Sequence, residues 1–172
     1  MNDYGVPLDS ATIRFERTLP APIERVWEFI TDSDKRAKWL ASGPMEQRPG
    51  GKVTLAFRNS ELPSVRETTP ERFKDKEGFG FTATVLECDR PRLLRMTWGV
   101  ASEVTFELSA QGKETRLILT HRKLPGRDDM LSVGSGWHTH LQILQEVLAG
   151  GPVGPFWSRF EPLRATYDRR LA

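Results

Sequence analysis

Cys88 is the only cysteine among 172 residues, which excludes an intrachain disulfide and any zinc site built from cysteines. At a strand end in "ATVLECDRP" it reads as a buried, inert thiol. Charge of one sign is also scarce: 25 Lys and Arg against 23 Asp and Glu leave a net charge of +2. Basic and acidic residues interleave in "TTPERFKDKEG" and "LPGRDDM", the pattern of a solvated surface, which argues against nucleic acid as a partner. No stretch approaches the ~18 apolar residues of a membrane span. "MNDYGVPLDSATIRF" has no basic segment leading into an apolar one, so neither a signal peptide nor membrane insertion is expected, and the cytoplasm is the expected location. Catalytic signatures are missing too. There is no H-E-x-x-H, no P-loop and no dinucleotide-type glycine repeat, and prolines interrupt "GGPVGP". Ser135 in "SVGSGW" reads as a helix N-cap, not a nucleophile. No cofactor and no metal are expected.

What is present suits one domain with a core of its own: 38% hydrophobic and 28% charged residues. Residues 1–10 read as a flexible start, 11–150 as the domain, and 151–172 as a helical extension packed on it. "ATIRFERTLPAP" places Ile13, Phe15 and Leu19 on one face of a strand stopped by Pro20 and Pro22. "PIERVWEFITDSD" spaces Ile23, Val26, Trp27 and Ile30 as a helix. "SDKRAKWLA" adds a second short helix, capped by Ser33 or Asp34, that brings Trp39 and Leu40 to one side.

From residue 44 to 123 the period becomes two. Val53, Leu55 and Phe57 share a face, as do Phe79, Phe81, Ala83 and Val85, and then Leu94, Met96 and Trp98. Val104, Phe106 and Leu108 face Leu117, Leu119 and His121 across a turn at Gln111–Gly112–Lys113. Arg95 falls on the other parity, at the surface or a sheet edge, and Glu87 with Asp89 reads as a salt-bridged turn. Asn59 to Gly78 reads as a long polar loop or frayed hairpin tip. Five or six strands in sequence make an antiparallel meander. "GSGWHTHLQILQEVLAG", 134–150, is then the one long helix, with Trp137, Leu141, Leu144 and Leu148 along one stripe and glycines at its end. "GPFWSRFEPLRATYDRRL" adds a last amphipathic segment carrying Phe156, Trp157, Phe160, Leu163 and Tyr167. One helix cannot cover both faces of such a sheet, so an α+β fold is expected in which a curved sheet wraps the helix and encloses a space.

The order of elements, with "APIERVWEFITDSDKRAKWL", "ATVLECDRPRLLRMTWG", "EVTFEL" and "GWHTHLQIL", resembles the START-like (SRPBCC) helix-grip superfamily. Within it, the chain is similar to the group named after the activator of heat-shock-protein-ninety ATPase, from about residue 11 to 150. The resemblance implies a curved antiparallel sheet around a long C-terminal helix, with two short helices after the first strand. It also implies a hydrophobic cavity for a lipid-like, apolar or aromatic molecule. Two other functions are open to such a fold: co-chaperone activation of a heat-shock ATPase, with a chaperone as partner, and cyclase- or hydrolase-type catalysis in the same cavity. The chain would act as a monomer or a homodimer.

Trp39, Phe57, Phe81, Met96, Trp98, Phe106, His121, Trp137 and Leu141 are the expected lining of that cavity, brought in from separate elements. His121 is inward by strand parity, either as a hydrogen-bonded core histidine or as the polar anchor of a ligand. It is also the one inward acid–base candidate for catalysis. Trp27 and Trp157 read as plain core. His138 and His140 lie about 200° apart on a helix and cannot share a metal. His140 borders the apolar stripe, and His138 faces outward, where its loss would cost no more than ~0.5 kcal/mol.

Overall fold

The computed structural model describes residues 2–172. The alternating segments form seven antiparallel strands: β1 (Val6–Asp9), β2 (Thr12–Leu19), β3 (Lys52–Ala56), β4 (Gly80–Asp89), β5 (Leu93–Trp98), β6 (Ser102–Gln111) and β7 (Glu114–Arg122). Their order is β1-β2-β7-β6-β5-β4-β3, so the meander curls back until β7 meets β2. The β6–β7 hairpin has the register that parity predicts, pairing Val104 with His121, Phe106 with Leu119 and Leu108 with Leu117. Gly112, at φ 63°, takes the left-handed first corner that a two-residue hairpin turn demands. A bulge between Val85 and Glu87 bends the sheet, as an extra unpaired residue does. Residues 1–10 were expected to be flexible, yet four of them form β1. Its apolar residues Val6 and Leu8 stand 54% and 55% exposed, so no buried face marked the strand in the sequence.

Four helices complete the fold: α1 (Ile23–Thr31), α2 (Ser33–Arg36), α3 (Arg127–Ala149) and α4 (Trp157–Arg170); α1 packs on β6 and β7, and α3 on β2. The cap of α2 is Asp32, just ahead of the expected Ser33 or Asp34, with its side chain accepting from the Lys35 amide. Arg36 is 1% exposed and donates to the carbonyls of Ala41, Ile30, Thr31 and Gly43, which ties α1 and α2 to the approach to β3. Burial pushes its pKa down to about 10, so it stays charged.

The long helix starts at Arg127, not at Gly134. Gly126 precedes it, and Asp128 and Asp129 in the first turn complement the helix dipole. Gly134 lies inside the helix because α3 closes on its neighbours there: a Cβ would sit 3.3 Å from Ile13 Cδ1 and 3.4 Å from the Tyr167 ring. Ser135 is fully buried, and its hydroxyl donates to the Leu131 carbonyl at 2.6 Å; it caps nothing. Gly150, at φ 80°, ends the helix in the left-handed conformation expected of it.

α4 packs against α3 and changes the environment of His138. That ring is 8% exposed, hydrogen-bonded through Nδ1 to the Tyr167 hydroxyl at 2.9 Å, with Tyr4 edge-on at 5.0 Å. The same hydroxyl accepts from the Gly5 amide at 2.7 Å. The outward face assigned to His138 from helical geometry is covered by the two chain ends, which a single-helix projection does not include.

The polar excursion between β3 and β4 forms two 3-10 turns, Asn59–Glu61 and Glu71–Lys76, and is tied to α4. The Glu67 carboxylate accepts from the amides of Phe156 (2.6 Å), Trp157 (2.9 Å) and Ser158 (3.1 Å), and from the Ser158 hydroxyl (2.8 Å). It acts as the N-terminal cap of a helix ninety residues away. Phe73 stacks on Trp157 with centroids 5.0 Å apart and planes at 10°. Arg95 lies on β5, a central strand and not an edge, with its side chain partly exposed at the surface, where it pairs with Glu87 and Glu103. Asp89 pairs with Arg92, as the turn before β5 predicts. No helix among the described residues is long and apolar enough to cross a membrane.

Candidate functional site: an aromatic cavity

Sheet curvature brings the ends of β3, β4 and β5 toward the middle of α3, and the space left there is flanked by α4 and the 59–78 excursion and stays partly open to solvent. It is a cavity of about 250 Å³. Phe57, Phe79, Phe81 and Trp98 come from the sheet side, Ser132, Gly136 and His140 from α3. Phe156, Trp157 and Phe160 come from the extension, and Asn59, Phe73 and Lys76 from the excursion. A second hollow of about 170 Å³ adjoins it, sharing Trp98, Ser132, Gly136 and His140 and adding Leu40, Val133 and Trp137. A larger hollow of about 660 Å³ lies elsewhere, between β1, the β7–α3 connection and the C-terminus, and has no aromatic side chain in its wall.

Gly136 keeps this space open. A Cβ placed on it would meet no atom within 4 Å, so any larger side chain would project into the cavity. The rings form a continuous set of contacts: Phe57 meets Phe81 at 6.0 Å, Phe81 meets Trp98 edge-on at 5.1 Å, and Trp98 meets Trp137 at 5.0 Å. His140 meets Phe156 at 4.8 Å. Phe57 and Phe81 stack at 29° and the other pairs are tilted or edge-on, arrangements that suit the aromatic quadrupole.

Two histidines fix the wall by opposite means. Trp137 Nε1 donates to His121 Nδ1 at 3.0 Å, which leaves the His121 proton on Nε2. That nitrogen donates to the Ser102 hydroxyl at 2.8 Å, and the hydroxyl donates to the Trp98 carbonyl at 2.7 Å. Burial lowers the His121 pKa to about 4, so this neutral tautomer is fixed, with both nitrogens engaged inside the protein. His140 is different. Its Nδ1 lies 2.7 Å from the Trp39 carbonyl, an obligatory acceptor, so Nδ1 carries the proton. Its pKa is also lowered to about 4 by burial, an effect only partly opposed by the Trp39 bond. Nε2 is therefore a free lone pair on a residue that lines both hollows.

The nine residues expected to line the cavity separate into two groups. Phe57, Phe81 and Trp98 line the main cavity, and Trp98 and Trp137 line the adjoining one. Trp39, Met96, Phe106, His121 and Leu141 are at most 1% exposed and line neither. Trp39 donates its indole N–H to the Phe29 carbonyl at 2.7 Å. Trp157, expected as plain core, is in the wall. Residues 156–160 were legible as amphipathic, but their destination was not, because it depends on Glu67 and Phe73 in a distant polar loop. Gly136 and His140 lay within the expected helix, 134–150, but only the fold places a cavity beside them.

Among the described residues, no group of three or more His, Cys, Asp and Glu is close enough to hold a metal ion. Cys88 is half-buried, and burial pushes its thiol pKa up, away from nucleophilic chemistry.

No curated protein is matched by the chain. Solved structures give the relatives. The solution structure of the BPP1335 protein of Bordetella parapertussis is 43% identical, with a TM-score of 0.83 over 98% of this chain and 91% of that one. CalU16 of Micromonospora echinospora shares the fold at 23% identity and a TM-score of 0.66, over 95% and 91% of the two chains. The Aha1 dimer of Colwellia psychrerythraea does so at 16% and 0.60, over 80% and 95%. Residues 20–149 match the family described as activator of Hsp90 ATPase homolog 1-like protein, and the chain, a helix-grip domain, belongs to that family.

Proposed function

We propose that the chain is a binding module for a small, largely aromatic or apolar molecule held in the cavity between the sheet, α3 and the C-terminal extension. The observation that carries this reading is the set of eight Phe and Trp side chains, from four parts of the chain, that surround about 250 Å³ held open by a glycine. Drug-sized ligands take roughly 300–1,000 Å³, so the occupant is a molecule of one or two rings. Burying about 200 Å² of apolar surface contributes roughly 5 kcal/mol before the losses of association.

The test is titration of the purified protein with 1-aminonaphthalene, a two-ring probe, read by tryptophan quenching, beside the same titration of Gly136→Leu. Wild type should saturate, and the leucine variant should not, with its melting temperature unchanged or raised. Failure of wild type to bind, or equal binding by both, overturns the reading.

Stimulation of a chaperone ATPase is a second reading, favoured by the family match alone. Its measurement is ATP turnover by an Hsp90-type chaperone with and without this chain. Of the exposed large apolar residues, Phe79 belongs to the cavity wall, and Val6, Leu8, Val65 and Val100 fall on β1, in the excursion and in a turn, which favours the aromatic cavity over a broad docking face.

A further inference from the structure

Five buried side-chain nitrogen and oxygen atoms have no hydrogen-bond partner among the described residues. Three belong to arginines outside the cavity wall; the other two, Trp157 Nε1 and Asn59 Oδ1, belong to cavity-lining residues. Trp157 is 4% exposed and Asn59 9%. A buried polar group without a partner is destabilising, and native proteins retain few of them. Two belong to residues in the wall of one cavity, one a donor and the other an acceptor, each closed to water in the empty cavity, and a molecule that seats against these side chains on binding can supply the missing partners. His140 Nε2 adds a second acceptor, since its Nδ1 proton is committed to the Trp39 carbonyl. The geometry of Trp157 is fixed from outside the cavity: Phe73 stacks on its ring and Glu67 holds its amide.

We propose that these three groups select a neutral aromatic molecule carrying a hydroxyl or carboxamide, which accepts from the Trp157 indole N–H and donates to Asn59 Oδ1 or His140 Nε2. This rests on the reading of the cavity as an aromatic binding site. The charge in the wall excludes an anion as the preferred ligand. Lys76 is the one formally charged lining residue, and it is exposed, its ammonium 5.6 Å from the Phe79 ring. An ionised ligand would be buried against rings and a neutral imidazole, with no guanidinium to pair it. The extension is thus a specificity element: it supplies the donor, and the excursion that it pins supplies one acceptor.

Three probes of one shape decide the matter: naphthalene, 2-naphthol and 2-naphthoate, each titrated at pH 7 into wild type, Trp157→Phe and Asn59→Leu. Wild type should favour 2-naphthol over naphthalene by about tenfold or more, the scale of one hydrogen bond inside a protein, and should bind 2-naphthoate no more tightly than 2-naphthol. Trp157→Phe keeps a ring for Phe73 to stack on and removes only the donor. Each variant should bring the preference toward unity with naphthalene affinity unchanged or raised. Equal binding of naphthalene and 2-naphthol by wild type overturns this assignment and leaves the aromatic site standing, as does a preference that survives both variants. Preferred binding of 2-naphthoate overturns the neutral class. Binding of none of the three overturns the site and this assignment together. Should one variant fail to fold, the wild-type ratio and the other variant still decide.

Discussion

Glu67→Gln tests whether the C-terminal helix is held by a carboxylate from the excursion. The side chain accepts four hydrogen bonds at the start of α4, three from amides and one from a hydroxyl. Glutamine keeps the shape and one acceptor oxygen but loses the charge and the second acceptor. An N-cap is worth ~0.5–2 kcal/mol, and hydrogen bonds to a charged group contribute ~1.5–3 kcal/mol net. These contributions overlap at one carboxylate, so a combined loss of about 2 kcal/mol is expected. For a domain of this size that is a fall of roughly 4–8 °C in Tm. The pH dependence has a definite sign. Burial by itself would raise the Glu67 pKa, but the hydrogen bonds from Trp157, Ser158 and Phe156 outweigh it and hold the pKa below its ordinary value. A carboxylate depressed in the native state contributes stability that is present above its unfolded pKa, about 4.3, and is lost as pH falls through the lowered native value. Wild type and variant should therefore differ at pH 7 and converge below pH 4, in thermal melts run in parallel. A difference under 1 °C at pH 7, or one that persists unchanged at pH 3, would refute the capping argument.

Trp137→Ala should cost ~3–5 kcal/mol, the range for a large core ring. Trp137→Phe should cost ~1–3 kcal/mol by leaving His121 Nδ1 buried without its donor; urea denaturation of both variants measures this, and a neutral phenylalanine would show that the relay to Ser102 adds nothing. His138→Ala should cost about 2 kcal/mol, since the ring is packed under Tyr4 and bonded to Tyr167; a loss below 0.5 kcal/mol would return it to the surface. His121, His138 and His140 are each held near pKa 4 against 6.5 in the free side chain, chiefly by burial. The unfolded chain thus takes up protons first, and stability should fall from pH 6.5 toward 4, by up to about 1.4 kcal/mol per pH unit for each histidine. Urea midpoints that stay level from pH 7 to pH 5 would contradict this.

The parts of the fold legible in the sequence were those whose signal is local. The β6–β7 register followed from parity, because a buried face repeats every second residue and a two-residue turn fixes the alignment. The apolar stripe of α3 and its glycine stop were legible for the same reason. The start of α3 was not. Gly134 and Gly136 have the appearance of helix breakers, but the first is small because Ile13 and Tyr167 press against it, and the second because a cavity lies beside it. Both reasons are tertiary. His138 illustrates the same limit: helical geometry gives the direction of a side chain, and only the rest of the chain determines whether water lies there.

The family match covers residues 20–149, yet three aromatic walls of the cavity, Phe156, Trp157 and Phe160, lie beyond it. Without them the ends of β3, β4 and β5 would face α3 across an open groove, and Trp157 would contribute neither a ring nor an N–H. Part of what could distinguish one ligand from another in this chain therefore lies outside the matched residues, in the extension, and part within them, in the excursion that caps it. On the proposed reading, a shared helix-grip core gives a shared place for a ligand but not a shared ligand. The 43% identical Bordetella protein, aligned over 98% of this chain, includes the extension in the comparison. The two more distant relatives show the fold alone, so likeness to them carries no information about which molecule the cavity takes.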